Sequence, residues 1–388
     1  VASQATAVGE QVALPRERVA STERIVAIDG LRGAALLLMA LDHASFFVGA
    51  GLQAESYGGQ AVALQSAAYW LSGLLTNLAS PIFFLLGGYS LALYAAGQRR
   101  KGATDWATTR YMLVRAAVIL ALDLTLCSFF WRGSTPYVHV LTAMAAAMAI
   151  LAVLRFLPPV ALAGVALAVL LAHQMALGAL AGQLAADAPQ SFWQAFWLTY
   201  SYDTRPAIGF PVLGWAPLMW LGYALGSLQP VAALRRPRLW VLVGLALLGL
   251  WLGLRIGRGY GDLGAFGAVG HSFVHGFVMS KAPPSLSYFA FNLGWAALLL
   301  AAFYAWPWLL ERASLRWLLV VGQVSLFFYV AHLGVYNLIS QALDLVALPG
   351  PRVVWGYLAW GFGLAVLLPL SAWYRQLRKR YPLVLSYL

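Results

Sequence analysis

From residue 25 onward the chain is a succession of apolar runs, many longer than twenty residues, broken by short polar stretches. A helix needs about 20 apolar residues to cross the hydrocarbon core of a bilayer. On that measure the pattern predicts ten membrane helices, over 25–48, 69–95, 111–131, 138–154, 160–180, 207–228, 239–254, 286–304, 315–338 and 353–374. The runs at 138–154 and 239–254 are the shortest. The aromatic stretch 191–202 reads as a segment lying along the interface. A transmembrane β-barrel would alternate apolar and polar residues in segments of about ten, and these runs do not alternate.

Composition agrees. Hydrophobic residues make up 62% of the 388 and charged residues 10%, and mean hydropathy is +0.75. A soluble domain carries about 25% charged residues, so an ordinary soluble enzyme, a disordered chain and a nucleic-acid module are all excluded. The 37 Gly and 16 Trp suit close helix packing and interfacial anchoring. The expected fold class is therefore an all-α polytopic membrane protein, a bundle of about ten transmembrane helices. Residues 1–23 are expected to form a flexible cytoplasmic segment and 24–388 a single transmembrane domain.

The net charge is +12 and the pI about 10.0. With the N-terminus inside and ten helices, basic residues favour the inner segments over the outer loops three to one, which predicts both termini in the cytoplasm. The inner set includes Arg99, Arg100, Lys101, Arg110 and Arg115, a cluster able to bind phosphates but also demanded by topology. Cys127 is the single cysteine. It permits no intrachain disulfide and has no base beside it in sequence.

Ionisable residues within a bilayer cost about 2.5–3.5 kcal/mol each on insertion scales and are functional candidates by default. The first helix carries Asp29, Arg32, Asp42 and His43. At 100° per residue, Arg32 and His43 fall within about 20° of one another on the wheel and roughly 16 Å apart along the axis. Asp29 stands three residues before Arg32, an ion-pair spacing. Asp42 points about 100° away from His43, so sequence adjacency alone does not make it the partner. The result is a site with two depths, Asp29 and Arg32 near one surface and His43 towards the other half. The plainer alternative is a structural Asp29–Arg32 pair and a helix-packing His43.

Asp123 and His332 are further polar residues inside apolar runs and could line the same cavity. His139 and His173 read as structural. Tyr260, His271, His275, Lys281 and Ser285 belong to a Gly-rich outer segment ahead of a helix start, placed to cover an acceptor pocket. His271 and His275 have an i, i+4 spacing, but no third ligand accompanies them, so no metal is expected.

The motifs resemble a known family. Arg24-Ile-Val-Ala-Ile-Asp29-Gly-Leu-Arg32-Gly, running on to Asp42-His43, is similar to the opening of a bacterial family related to the catalytic domain of heparan-α-glucosaminide N-acetyltransferase. So are Ser80-Pro-Ile-Phe-Phe-Leu-Leu-Gly87-Gly, Ser201-Tyr-Asp203 with Gly214-Trp and Gly222-Tyr, Ser280-Lys281-Ala-Pro283-Pro284-Ser285-Leu with Ala282 where the family has Tyr, Val321-Gly-Gln-Val-Ser-Leu-Phe-Phe-Tyr329-Val-Ala-His332, and the closing Tyr381-Pro382 to Ser386-Tyr387-Leu388. The resemblance spans roughly 24–388. It implies an integral membrane acyltransferase of the bacterial inner membrane that moves an acetyl group from cytosolic acetyl-CoA to a saccharide acceptor on the far side. In the heparan-modifying branch an Asn stands at the place of His43 and the reactive His follows shortly after, whereas residues 44–68 here hold no His.

On this reading His43 and Asp42 are catalytic, His43 serving as base for direct transfer, with an acetyl-His intermediate as the competing route. Asp29, Arg32, Arg99, Arg110 and Arg115 hold the acyl-CoA. Asp123, Tyr260, His271, His275, Lys281, Ser285 and His332 hold the acceptor. The expected partners are the bilayer, acyl-CoA and a glycan, with nucleic acid excluded and a homodimer left open. The alternative is a proton-coupled transporter of a small solute, using the same buried ionisable residues.

Overall fold

The computed structural model describes residues 25–52, 54–57, 66–186, 188–229, 232–263, 273–345, 349–381, 385 and 387. The expected N-terminal segment 1–23 lies outside the described residues.

Every apolar run of the sequence is helical. The helices are α1 (Val26–Phe47), α2 (Ala67–Thr76), α3 (Ala79–Arg100), α4 (Asp105–Leu122), α5 (Ser128–Arg132), α6 (Val140–Leu154), α7 (Pro159–Ala185), α8 (Phe192–Trp197), α9 (Val212–Ser227), α10 (Pro237–Gly257), α11 (Leu286–Ala305), α12 (Arg316–Gln323), α13 (Ser325–Leu343) and α14 (Arg352–Arg380). Among the described residues, seven helical segments are long and apolar enough to cross a membrane. They are Ala67–Arg100, Asp105–Arg132, Pro159–Leu184, Pro237–Gly257, Leu286–Ala305, Ser325–Leu343 and Arg352–Arg380. The other three expected helices are α1, whose apolar run carries Asp29, Arg32 and Asp42, and the shorter α6 and α9. The chain is an all-α polytopic membrane protein. Its outward side chains agree: Leu242, Leu245, Ile256, Phe362 and Val366 are exposed, an apolar surface that lipid, not water, can cover.

Helix boundaries follow local chemistry. Prolines stand at the starts of α7 and α10, where a missing N–H costs nothing. Thr104, Ser191 and Ser285 cap α4, α8 and α11, each side-chain oxygen accepting from the N–H three residues on. Between α4 and α5 the helix widens to a π turn at Asp123–Cys127. Such turns re-aim the residues around them, and here they place α5 and Trp131 beside α1.

Backbones come together at glycines. A Cβ at Gly33 would stand 2.0 Å from the carbonyl of Leu318, and one at Gly322 would stand 2.2 Å from that of Asp29. These two positions press α1 onto α12. Gly88 and Gly222 do the same for α3 and α9, with clashes of 1.8 Å against Met219 and Leu85. Without a hydrophobic drive between helices in lipid, such close approach supplies the packing energy.

At one end of the bundle, short parallel strands knit the loops. β1 (Glu55–Tyr57) pairs with β4 (Met279–Ala282), and β2 (Tyr137–Val138) with β3 (Ala207–Ile208). The aromatic stretch near 191–202 forms the short α8, whose Ala195 packs on Val138 and Ile208 of this layer.

Candidate active site

One cavity of about 1010 Å³ runs through the bundle. At one end it is lined by Arg32, Ser90, Tyr94, Arg115, Gln323 and Arg378. At the other it is lined by Asp42, His43, Glu55, Arg132, Tyr202 and Lys281. Met39 lies between, on the stripe of α1 that joins Arg32 to His43.

Arg32 gathers three elements. Its guanidinium pairs with Asp29 of the same helix at 3.2 Å, donates to the carbonyl of Gly322 on α12 at 3.1 Å, and donates to the hydroxyl of Ser90 on α3. Arg378 donates to the carbonyl of Gln323 at 2.9 Å. Arg115 donates to the carbonyl of Tyr387 at 3.0 Å. Three guanidinium groups therefore border one end of the cavity, the side chain best matched to phosphate.

The opposite end is built on His43. Its Nδ1 lies 2.7 Å from Nε2 of His332, a residue 289 positions away on α13, and the two rings are stacked. His332 Nδ1 lies 3.1 Å from the carbonyl of Phe328. A carbonyl only accepts, so His332 carries its hydrogen on Nδ1 and presents a bare Nε2. His43 must then donate from Nδ1. This network assigns the tautomers: the neutral His43 keeps its lone pair on Nε2. That nitrogen is 4.0 Å from Oδ2 of Asp42. Asp42 also accepts from Thr76 at 3.3 Å. Trp131 packs edge-on against the His43 ring, centroids 4.7 Å apart.

The strand layer supplies the outer wall. Pairing of β1 with β4 sets Glu55 beside Lys281, Nζ to Oε2 2.9 Å, and the Tyr57 hydroxyl donates to Glu55 at 2.8 Å. Burial disfavours the Lys281 charge, but the carboxylates of Glu55 and Asp42 outweigh it and hold the ammonium above its ordinary pKa. The guanidinium of Arg132 lies over the rings of Tyr137 and Tyr202, 5.1 Å from each centroid. Lys281→Met should leave Glu55 as a buried unpaired carboxylate. The expected cost is about 3 kcal/mol, read as a lower unfolding midpoint in detergent. Glu55→Gln in the same chain should restore most of it.

The expected residues divide. Arg32, Asp42, His43, Arg115 and Lys281 line the cavity, and His332 stands directly behind His43. Asp29 reaches it only through Arg32. Arg99, in the last turn of α3, and Arg110, on an outward face of α4, are exposed and off the cavity wall. Asp123 is wholly buried and off the wall too. Its Oδ2 accepts from the backbone N–H groups of His139 and Thr142 and from the Thr142 hydroxyl, tying the π turn to the start of α6. Ser285 is spent on capping α11, Tyr260 donates to the carbonyl of Leu171 at 2.7 Å, and His275 gives its carbonyl to Arg255. None of the three lines the cavity. His271 lies outside the described residues. Among the described residues no three His, Cys, Asp or Glu side chains come together as metal ligands. Glu55, Trp131, Arg132, Tyr202, Gln323 and Arg378 also line the cavity without being expected there; Tyr202 falls within the Ser201-Tyr-Asp203 motif and the arginines within charged stretches, but only the fold brings them to this wall.

The helices and their internal polar cavity define an integral membrane protein that encloses its site within the bundle. The family model described as heparan-alpha-glucosaminide N-acetyltransferase, catalytic, matches residues 24–251, more than half of the chain. The chain belongs to that family of membrane acetyltransferases. The matched stretch contains Arg32, Asp42, His43 and Arg115, while Lys281, His332 and Arg378 lie beyond it. A search of curated proteins finds no match.

Proposed function

We propose that the chain transfers an acetyl group from acetyl-CoA, bound from the cytoplasmic side at the arginine end of the cavity, to a saccharide acceptor at the His43 end. The observation that carries the reading is a cavity bordered by Arg32, Arg115 and Arg378 at one end and by His43 at the other. The charge bias of the loops supports a cytoplasmic arginine end in a bacterial inner membrane, where a phosphate-bearing donor is available. The pantetheine arm then extends along α1 and brings the thioester to the imidazole.

The chemistry follows from the tautomers. Nε2 of His43 takes the proton of the acceptor hydroxyl or amine as that oxygen or nitrogen attacks the thioester carbonyl. His332 holds the other ring nitrogen, so the base keeps its orientation, a role like that of the third member of a hydrolytic triad. Asp42, 4.0 Å from the newly charged Nε2–H, steadies the imidazolium. Collapse of the tetrahedral intermediate breaks the C–S bond, and His43 returns the proton to the departing thiolate. Lys281 and Arg132 offer positive charge at this end of the cavity for the transient oxyanion. Asp29 supports Arg32 in donor binding, and His332 serves the acceptor end through His43.

The purified protein in nanodiscs should gain thermal stability with acetyl-CoA. At a concentration 100 times Kd the gain is about 2.7 kcal/mol. Acetyl-CoA without effect on the melting midpoint, together with no thiol release when glucosamine is added, would remove the reading. Uptake of a solute by proteoliposomes in its place would favour a transporter.

A further inference from the structure

Beside Arg115 stands a column of three tyrosines. Tyr94 on α3 and Tyr111 on α4 stack at 3.9 Å with planes 21° apart. Tyr387, near the C-terminal end of the chain, covers Tyr111 at 5.2 Å and 30°. Gln98 donates to the Tyr94 hydroxyl at 2.7 Å and holds that ring in place. Arg115, one turn beyond Tyr111, donates to the Tyr387 carbonyl at 3.0 Å. Tyr94, Tyr111, Arg115 and Arg378 all line the cavity at its arginine end.

A flat ring lying on Tyr111 with an oxygen against Arg115 is the arrangement that a purine base and its phosphate would need. The geometry points to the face of Tyr111 now covered by Tyr387 as the seat of the adenine ring of the donor, with Arg115 taking a phosphate oxygen in place of the tail carbonyl. Tyr387 is thus a stand-in for the base and competes with the donor for its own site. The inference rests on the acetyl-CoA reading above and deepens it. The nucleotide is recognised by stacking as well as by charge, and the tail sets how tightly it binds.

Two consequences have opposite signs, which sets this apart from a merely structural tyrosine column. Tyr111→Leu removes the platform and should weaken binding of coenzyme A and of adenosine 3′,5′-bisphosphate by roughly tenfold, the scale of one aromatic–base stack. Tyr111→Phe keeps the ring and should bind as the parent does. Tyr387→Ala uncovers the platform and should tighten both ligands by severalfold. The substitution leaves the backbone carbonyl that Arg115 bonds in place, so it changes only the ring that covers Tyr111.

The test is calorimetric titration of the full chain and these variants in nanodiscs with both probes. Weaker binding by Tyr111→Leu, retention by Tyr111→Phe and tighter binding by Tyr387→Ala support the proposal. Coenzyme A bound equally by all four proteins would overturn the adenine seat and leave the acetyl-CoA reading standing. Loss of affinity in Tyr387→Ala would overturn the competition, since it would make the tail part of the binding surface. A parent chain that binds neither probe would remove both the seat and the reading beneath it.

Discussion

Acetyl transfer by His43→Ala should fall by about 10²–10⁴-fold, the range of a positioned general base, while the protein still inserts and folds. Among the described residues two imidazoles line the cavity; alanine removes the one beside Asp42, and the other, His139, already has Nδ1 facing the Tyr329 hydroxyl at 3.3 Å. It also leaves His332 Nε2 buried with its partner gone, a cost of about 1–3 kcal/mol. The melting midpoint should therefore drop modestly while turnover nearly vanishes. Binding of acetyl-CoA should survive, because the arginines at the far end are untouched. His332→Leu should lose less activity than His43→Ala, since it frees the base from its holder and does not delete it. Stopped-flow detection of released thiol in nanodiscs reads both effects. Turnover of His43→Ala within a few-fold of the parent would take His43 out of the chemistry.

Arg32→Ala has the second large effect, and it acts twice. The side chain joins α1 to α3 and α12 at a place where glycines already bring α1 and α12 into backbone contact. Its loss removes the guanidinium that Asp29 faces at 3.2 Å and two hydrogen bonds between helices, and a hydrogen bond to a charged group is worth about 1.5–3 kcal/mol. The unfolding midpoint should fall clearly. Acetyl-CoA should then stabilise the variant far less than it does the parent, because a cation at the donor end is gone. Adding Asp29→Asn separates the two roles. The double variant should recover much of the lost stability and none of the donor response. A double variant that regains acetyl-CoA binding would assign Arg32 to structure alone.

The helices were legible because lipid imposes a length and a polarity that a single sequence displays directly. All ten apolar runs are helical, and the wheel positions of Arg32 and His43 correctly put both on one cavity-facing stripe of α1. The same wheel set Asp42 about 100° away from His43, yet both line the cavity, because a broad cavity takes more than one stripe of the helix beside it. What no local pattern carries is the partner of His43. His332 arrives from 289 residues away, and only the packing of α13 against α1 makes the pair.

Misplaced expectations share a physical cause. Asp123 is polar within an apolar run, a pattern that points to a ligand contact as readily as to a structural group. In the fold its carboxylate satisfies backbone N–H groups left open at the start of α6, an equally strong reason for a charge at membrane depth. Arg99 and Arg110 belong to the same basic cluster as Arg115, and composition does not say which of them turns inward. Tyr111, on the same helix as Arg115 and one turn before it, lines the cavity, whereas Arg110 one position earlier is exposed. Arg378 joins Arg32 from the far end of the sequence through Gln323, a long-range contact with no sequence signature.

The most direct test of the account is a cryo-EM map of the chain in nanodiscs with a non-hydrolysable acetyl-CoA analogue. The account predicts one continuous ligand density, its phosphates within hydrogen-bonding reach of Arg32, Arg115 or Arg378 and its acyl carbon beside Nε2 of His43. Density that leaves the acyl end remote from His43, or phosphates bound outside this cavity, would contradict it.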